Sequence, residues 1–279
     1  MSTEVTLRRH RGAWWRLLGS EMQLVLSKWR NRLGMGVLAL VPVLVTIGLY
    51  QDSRSGGPQE VIGGLTNGLV VAMLALLAET AMFLPLAVSM LSGDSIAGEA
   101  NQGTLRYLLV VPVGRTRLLL VKYLSLMISS VIGVLIVLVV GGVLGAAVLG
   151  AGNSASLSGT TLSFGQTALR LLLAGAYVSL MLWAIAAIGL FFSTLVDQPM
   201  AVTVGVMVVV VLMWITLTVP QLHWLHPYLL TNRMQSFTDV MRAPIYWDNM
   251  ATGALIALAY IAVFLAAAWA RFTSKDVTS

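Results

Sequence analysis

The sequence holds no cysteine at all. That excludes disulfides, thiolate metal sites and a cysteine nucleophile, and it leaves the redox compartment unassigned. Charge is scarce too: Asp, Glu, Lys and Arg make up 10% of 279 residues, and none of them falls between Tyr123 and Leu169. Several catalytic signatures are also missing. No G-x-x-x-x-G-K-[ST] run is present to cradle nucleotide phosphates. No H-E-x-x-H offers a zinc pair and no G-x-S-x-G presents a hydrolase serine. The serines of 154–158 lie in a Gly/Ser/Thr-rich stretch without a plausible base. His223 and His226 stand three apart but without a neighbouring carboxylate, so no metal site is assigned. An integral-membrane enzyme is therefore disfavoured.

What fills the sequence instead is apolar: 58% hydrophobic residues and a mean hydropathy of +0.87. These values exclude an ordinary soluble domain and indicate an all-α polytopic membrane protein. The net charge of +6 reads as membrane topology rather than as nucleic-acid binding. A spanning helix needs about 20 apolar residues. Six stretches meet that need, at about 33–50, 61–91, 123–149, 170–195, 199–219 and 250–270. Gly150–Gly165, rich in Gly, Ser and Thr, separates the third from the fourth. The organisation expected is a cytoplasmic segment 1–32, a six-helix membrane domain 33–270 and a tail 271–279.

Lys and Arg decide the orientation. With both termini inside, residues 1–32, 92–122 and the tail carry 7, 4 and 2 of them, against 4 outside (Arg54, Arg170, Arg233, Arg242), which accounts for all 17. The 13-to-4 split places both termini in the cytoplasm of a multi-pass cell-membrane protein. The start of the chain is polar and Arg-rich, so no cleavable signal peptide is expected.

Three segments are more than plain spans. Gly12–Arg32 repeats apolar residues at helical spacing, with Trp14, Trp15 and Trp29 among them, and so predicts an amphipathic helix lying at the inner interface among membrane lipids. The outer stretch Pro220–Asp248 is too polar to span and too aromatic to be freely solvated, which predicts short interfacial helices. Between the second and third spans runs SGDSIAGEANQGTLRYLLVVPVGRTRLLLVK, residues 92–122. Here Asp94 and Glu99 read as first-turn charges for a following helix over Thr104–Val111. Pro112 interrupts that helix, Gly114 turns, and a new helix starts at Arg115. From composition alone this run is either a solvated, positively charged loop or a rigid element that contacts a cytoplasmic partner.

Glu79 is the one charge deep in an apolar span. It either lines a path for substrate or sits near a break made by Pro85. With so few ionisable groups in the spans, ion-coupled transport has little support, and energy for transport is expected from another chain.

The 92–122 run resembles the first cytoplasmic loop of ABC-2-type ATP-binding-cassette permeases. The resemblance rests on Asp94 and Glu99, the pair Gly103–Thr104, a short helix Leu105–Leu109 that includes Arg106, then Pro112, Arg115, Arg117 and Lys122. The six spans, the amphipathic N-terminal helix and the structured outer segment are similar to that family as well. The resemblance implies a coupling helix within this loop that seats on a cytoplasmic ATPase subunit. It implies a second permease copy or sister permease, ATP and Mg held by the partner ATPase with no cofactor in this chain, and no nucleic acid. The short link Gln51–Glu60 departs from relatives with a large external domain there. An exporter of amphipathic drugs, antibiotics or lipid-like molecules is the expected function; the alternative is a non-transporting assembly or sensory subunit that holds a cytoplasmic partner.

Overall fold

The structure is a computed structural model that describes residues 13–54, 68–103, 114–150, 152, 154–155 and 158–274. Among these residues the chain forms helices α1 (Ala13–Ser27), α2 (Trp29–Arg54), α3 (Gly68–Ala81), α4 (Phe83–Ser95), α5 (Ala97–Asn101) and α6 (Arg115–Leu149). After a two-stranded hairpin, β1 (Ser154–Ala155) and β2 (Thr161–Leu162), come α7 (Phe164–Leu195), α8 (Pro199–Leu217), α9 (Leu230–Met234) and α10 (Trp247–Ser274). Five of these helices, α2, α6, α7, α8 and α10, are each long and apolar enough to cross a membrane. The pair α3–α4, bent by 53°, makes a sixth if the two together form one broken span. The protein is an all-α polytopic membrane protein, and α2, α6, α7 and α10 run longer than the apolar stretches expected from sequence.

The bend between α3 and α4 has a local cause. Pro85 has no N–H to give to the carbonyl of Ala81, and its ring crowds that carbonyl, so the helix breaks at Met82 rather than at the proline itself. The helix recovers at once, with Leu86 donating to Met82 at 2.9 Å. Other ends follow familiar chemistry. Ser163 and Gln166 form a reciprocal capping box at the start of α7. Pro199 opens α8 where its missing N–H costs nothing. Gly150 closes α6 at φ 91°, a conformation that a side chain would resist.

Within a bilayer, helices associate through close packing rather than through the hydrophobic effect. The sequence supplies the small residues for it. A Cβ on Gly68 would stand 2.0 Å from the carbonyl carbon of Gly145, and one on Gly141 would stand 2.8 Å from the Cα of Ala72. Thus α3 and α6 cross backbone to backbone. Helix α7 occupies the centre, with Ala174, Val178, Leu182, Ile185 and Leu190 all inaccessible. Helices α2, α8 and α10 lie outside it and keep many apolar side chains exposed, among them Leu44, Val204 and Leu255.

Residues 220–248, the segment expected on the outer side, are folded, in line with their aromatic composition. Residues Pro220–Leu222, His226–Tyr228 and Ser236–Met241 form 3₁₀ turns around α9. Phe237, Val240, Met234 and Leu230 are buried beneath it. His226 Nε2 lies 3.0 Å from the Thr216 carbonyl at the end of α8, a packing contact within the segment.

Candidate functional site

The residues singled out in the 92–122 run gather where α1, α4, α5, α6 and α10 meet. Helix α1 lies over the starts of α2 and α6, because its apolar stripe needs cover; Leu18 is buried while Trp15 is 70% exposed. Lys28 falls between α1 and α2, so Trp29 belongs to the first spanning helix rather than to α1. Trp14 receives the Arg117 guanidinium over its ring at 5.9 Å, a cation–π contact that ties α1 to the first turn of α6.

The two acids take roles that the sequence reading does not anticipate. Asp94 lies in the last turn of α4, not in the first turn of a following helix. A negative charge there opposes the helix dipole. It is compensated by Arg30 and by Lys28 at 3.4 Å, both from the α1–α2 junction. Glu99 does sit in the first turn of a helix, but that helix is the five-residue α5. Its carboxylate accepts from Lys122 Nζ at 2.6 Å. Lys122 also donates to Glu21 of α1 at 3.3 and 3.4 Å, and its side chain is only 2% exposed. Burial pushes the Glu99 carboxyl above its ordinary range, while the adjacent Lys122 pulls it back. One lysine thus binds two acids from two other helices.

The elbow between α4 and α5 is pinned from the membrane side as well. The backbone N–H groups of Ile96 and Ala97 donate to Ser193 Oγ of α7 at 3.1 and 2.8 Å. These would be orphan donors at the start of α5. On the far flank, Arg115 donates to the Thr273 carbonyl at 2.9 Å, at the C-terminal end of α10 where a cation is favoured. Trp269 Nε1 donates to Thr116 Oγ1 at 2.9 Å beside it. Of the nine loop residues named from sequence, Asp94, Glu99, Gly103, Arg115 and Arg117 are described here, with Gly103 at φ 69° closing the turn after α5. Thr104, Leu105, Arg106 and Pro112 lie outside the described residues, as does the helix expected over Thr104–Val111. The structure therefore gives the two shoulders of the loop.

Glu79 is in the last turn of α3, just before the break, and is completely buried. Among the described residues, neither of its carboxyl oxygens has a hydrogen-bond partner. The residue thus lies beside the helix break and is enclosed by the bundle.

A family model described as ABC-2 family transporter protein matches residues 25–277. The chain belongs to the ABC-2 transporter family. It is a permease, the membrane component of a transport system and not itself catalytic, and such permeases work with an ATPase subunit. A search of curated proteins returned no match. Sequence reasoning names Lys122 as the end of the loop pattern but misses its partner Glu21, the only acid on α1 among the described residues; the two lie in different helices, and only the fold brings them together. Ser193 carried no signal in sequence, being one small residue among many in an apolar helix.

Proposed function

We propose that the protein is the membrane-spanning subunit of an ATP-driven exporter that moves an amphipathic substrate across the cytoplasmic membrane. ATP and Mg are bound by a separate ATPase chain, and the transporter pairs this permease with a second copy or a sister permease. Both termini face the cytoplasm, as the 13-to-4 division of basic residues favours.

One observation supports this reading most. The segment on either side of residues 104–113 is not loosely attached: Lys122 joins α1, α5 and α6, and Arg115 joins α6 to α10. A push delivered to that segment would reach α4, α6, α7 and α10 through short, defined contacts, which a solvated loop could not do. On this reading residues Gly103–Arg117 bear on the ATPase. Glu79 stands on the substrate path at the α3–α4 break.

The test is affinity purification of the chain from its native host in mild detergent, with ATPase activity assayed in the complex. A stoichiometric P-loop ATPase is expected to accompany it. The pair Arg115→Glu and Arg117→Glu should lower its recovery several-fold. Because both arginines also make contacts within the chain, thermal unfolding of the variant is measured alongside. Full ATPase coupling in a folded double variant would overturn the assigned contact. A folded permease from which no ATPase can be recovered, even after cross-linking, would favour the non-transporting assembly role.

A further inference from the structure

Beneath α1 the structure holds a cavity of about 420 Å³ with mixed lining. That volume lies within the usual range for small-molecule sites, about 300–1,000 Å³. It is lined by Glu21 and Lys28 of the α1 region, Asp94 and Glu99 of the elbow, and Lys122 and Ser125 of α6. Next to it, between α2, α4 and α6, lies a second compartment of only about 40 Å³ that is almost wholly apolar, walled by Gly34, Met35, Leu38, Leu84, Val88 and Gly133. Asn31 and Leu91 line both compartments, so the two are neighbours across a shared wall. At that junction stand two cations, Lys28 on the polar side and Arg30 on the apolar side, both paired with Asp94 yet with side chains 39% and 41% exposed, which leaves N–H donors of each open to a further anion.

The order of these features along the cleft is acid, then cations, then apolar surface. A zwitterionic phospholipid has the matching order of ammonium, phosphate and acyl chain. We infer that this cleft binds one phospholipid carrying a primary ammonium headgroup, of the phosphatidylethanolamine type, from the leaflet on which α1 lies. The phosphate sits between Lys28 and Arg30, which it shares with Asp94, the ammonium reaches Glu21, and one acyl chain follows the exposed apolar face of α2 (Leu33, Val37, Leu40) past the mouth of the small compartment. Glu21 is available for this because Lys122 holds it only at 3.3 and 3.4 Å, and a carboxylate has about four acceptor sites. A primary ammonium brings three N–H donors, whereas a choline headgroup brings none. An anionic lipid without an ammonium would meet Glu21, Asp94 and Glu99 with nothing to offer them. The site involves α1, α2, α4 and α6 of a single chain and does not depend on the ATPase.

The test uses the permease together with whatever ATPase co-purifies, stripped of lipid in mild detergent. It is titrated with phosphatidylethanolamine, phosphatidylcholine and phosphatidylglycerol of identical acyl chains, and bound lipid is counted by native mass spectrometry. The wild type should take one phosphatidylethanolamine per chain, about tenfold more tightly than either other lipid, the discrimination worth roughly one charge-assisted hydrogen bond. Glu21→Gln leaves Lys122 paired with Glu99 and should erase the preference for ethanolamine over choline. Gly34→Leu projects into the apolar compartment from a position where a Cβ meets nothing within 4 Å, and it replaces a helix-weakening glycine. It should fold normally and weaken all three lipids alike. Equal binding of the three lipids by the wild type would overturn the assignment, as would an ethanolamine preference that survives both substitutions in folded protein.

Discussion

The two ends of this permease are held together by different chemistry. At the end that carries α1, helices are joined by ions: Lys122 to Glu21 and Glu99, and Asp94 to Lys28 and Arg30. At the other end, side chains reach mainly backbone carbonyls, beside one ion pair between Arg242 and Asp239 at 3.0 Å; at the ionic end the Arg115 contact to the Thr273 carbonyl is the minority type. Arg170 of α7 donates to the carbonyls of Val240 and Arg242 at 2.9 and 2.8 Å, and Tyr177 donates to that of Arg233 at 2.7 Å. Tyr260 of α10 donates to the Tyr228 carbonyl at 3.1 Å, over a buried apolar patch around Phe237. An ion pair between helices can be exchanged for another pair or for water when the helices shift. A carbonyl held in place by a folded turn stays where it is, so a side chain that leaves it has fewer other partners to take up. The difference predicts that the ionic end moves more readily than the capped end, which suits a transporter driven from one side.

The comparison is most severely tested at Lys122. Removing one member of a buried ionic cluster leaves the others charged and unsatisfied, at a cost of about 3–5 kcal/mol. Lys122→Met should therefore destabilise the permease by about that amount, read as a large fall in its thermal unfolding midpoint in detergent. The triple variant Glu21→Gln, Lys122→Met, Glu99→Gln removes the charge together with its partners and should recover most of the loss. If the triple variant is as unstable as the single one, the contribution of Lys122 is packing of its stem, and the ionic description of this end fails.

The fold was largely legible because bilayer crossing imposes a strong demand on sequence. Apolar runs of the required length, a Gly/Ser/Thr-rich interruption and an amphipathic start each show in the residues themselves. Even the broken second span was foreshadowed by Pro85, although the break falls at Met82, because proline disrupts the carbonyl four residues earlier. The candidate site was legible only in part. Asp94, Glu99, Arg115 and Arg117 stand out in a chain with few charges, but their partners lie in other helices, and sequence spacing says nothing about which helices meet. Asp94 was misplaced for a related reason: helix α4 continues through Ser95, past the apolar run that marked its end. The Ser193 contact to the elbow could not be read from sequence at all.

Glu79 lies between the two ends and obeys neither rule, since it is buried without a partner. A buried polar group left unsatisfied costs about 1–3 kcal/mol. Glu79→Leu, which is close in volume and apolar, should stabilise the resting protein by an amount in that range and at the same time impair transport. Glu79→Gln should leave assembly with the ATPase unchanged while altering transport. Stability gained with transport intact would make Glu79 an uncompensated structural residue; stability lost would mean that the carboxyl finds a partner in the folded protein.

The smallest effect is expected at the capped end. Asn249, at the start of α10, donates to Asp239 Oδ2 at 2.9 Å and accepts from Arg233 at 2.5 Å, so it links two parts of the outer segment to a spanning helix. Asn249→Ala removes both bonds but leaves the apolar patch under Phe237 and the Arg170 contacts in place. The loss should be about 1–2 kcal/mol, the usual cost of one or two part-buried hydrogen bonds. Its dependence on nucleotide separates the two ends. If the outer segment stays closed throughout the cycle, hydrogen–deuterium exchange across residues 230–249 should rise in Asn249→Ala by the same factor with and without ATP on the partner subunit. Exchange near Lys122 in the unaltered protein should change when ATP is added. A nucleotide-dependent change at 230–249 as large as that near Lys122 would show that the cap moves with the ionic end, and carbonyl contacts would then be as exchangeable in this permease as ion pairs.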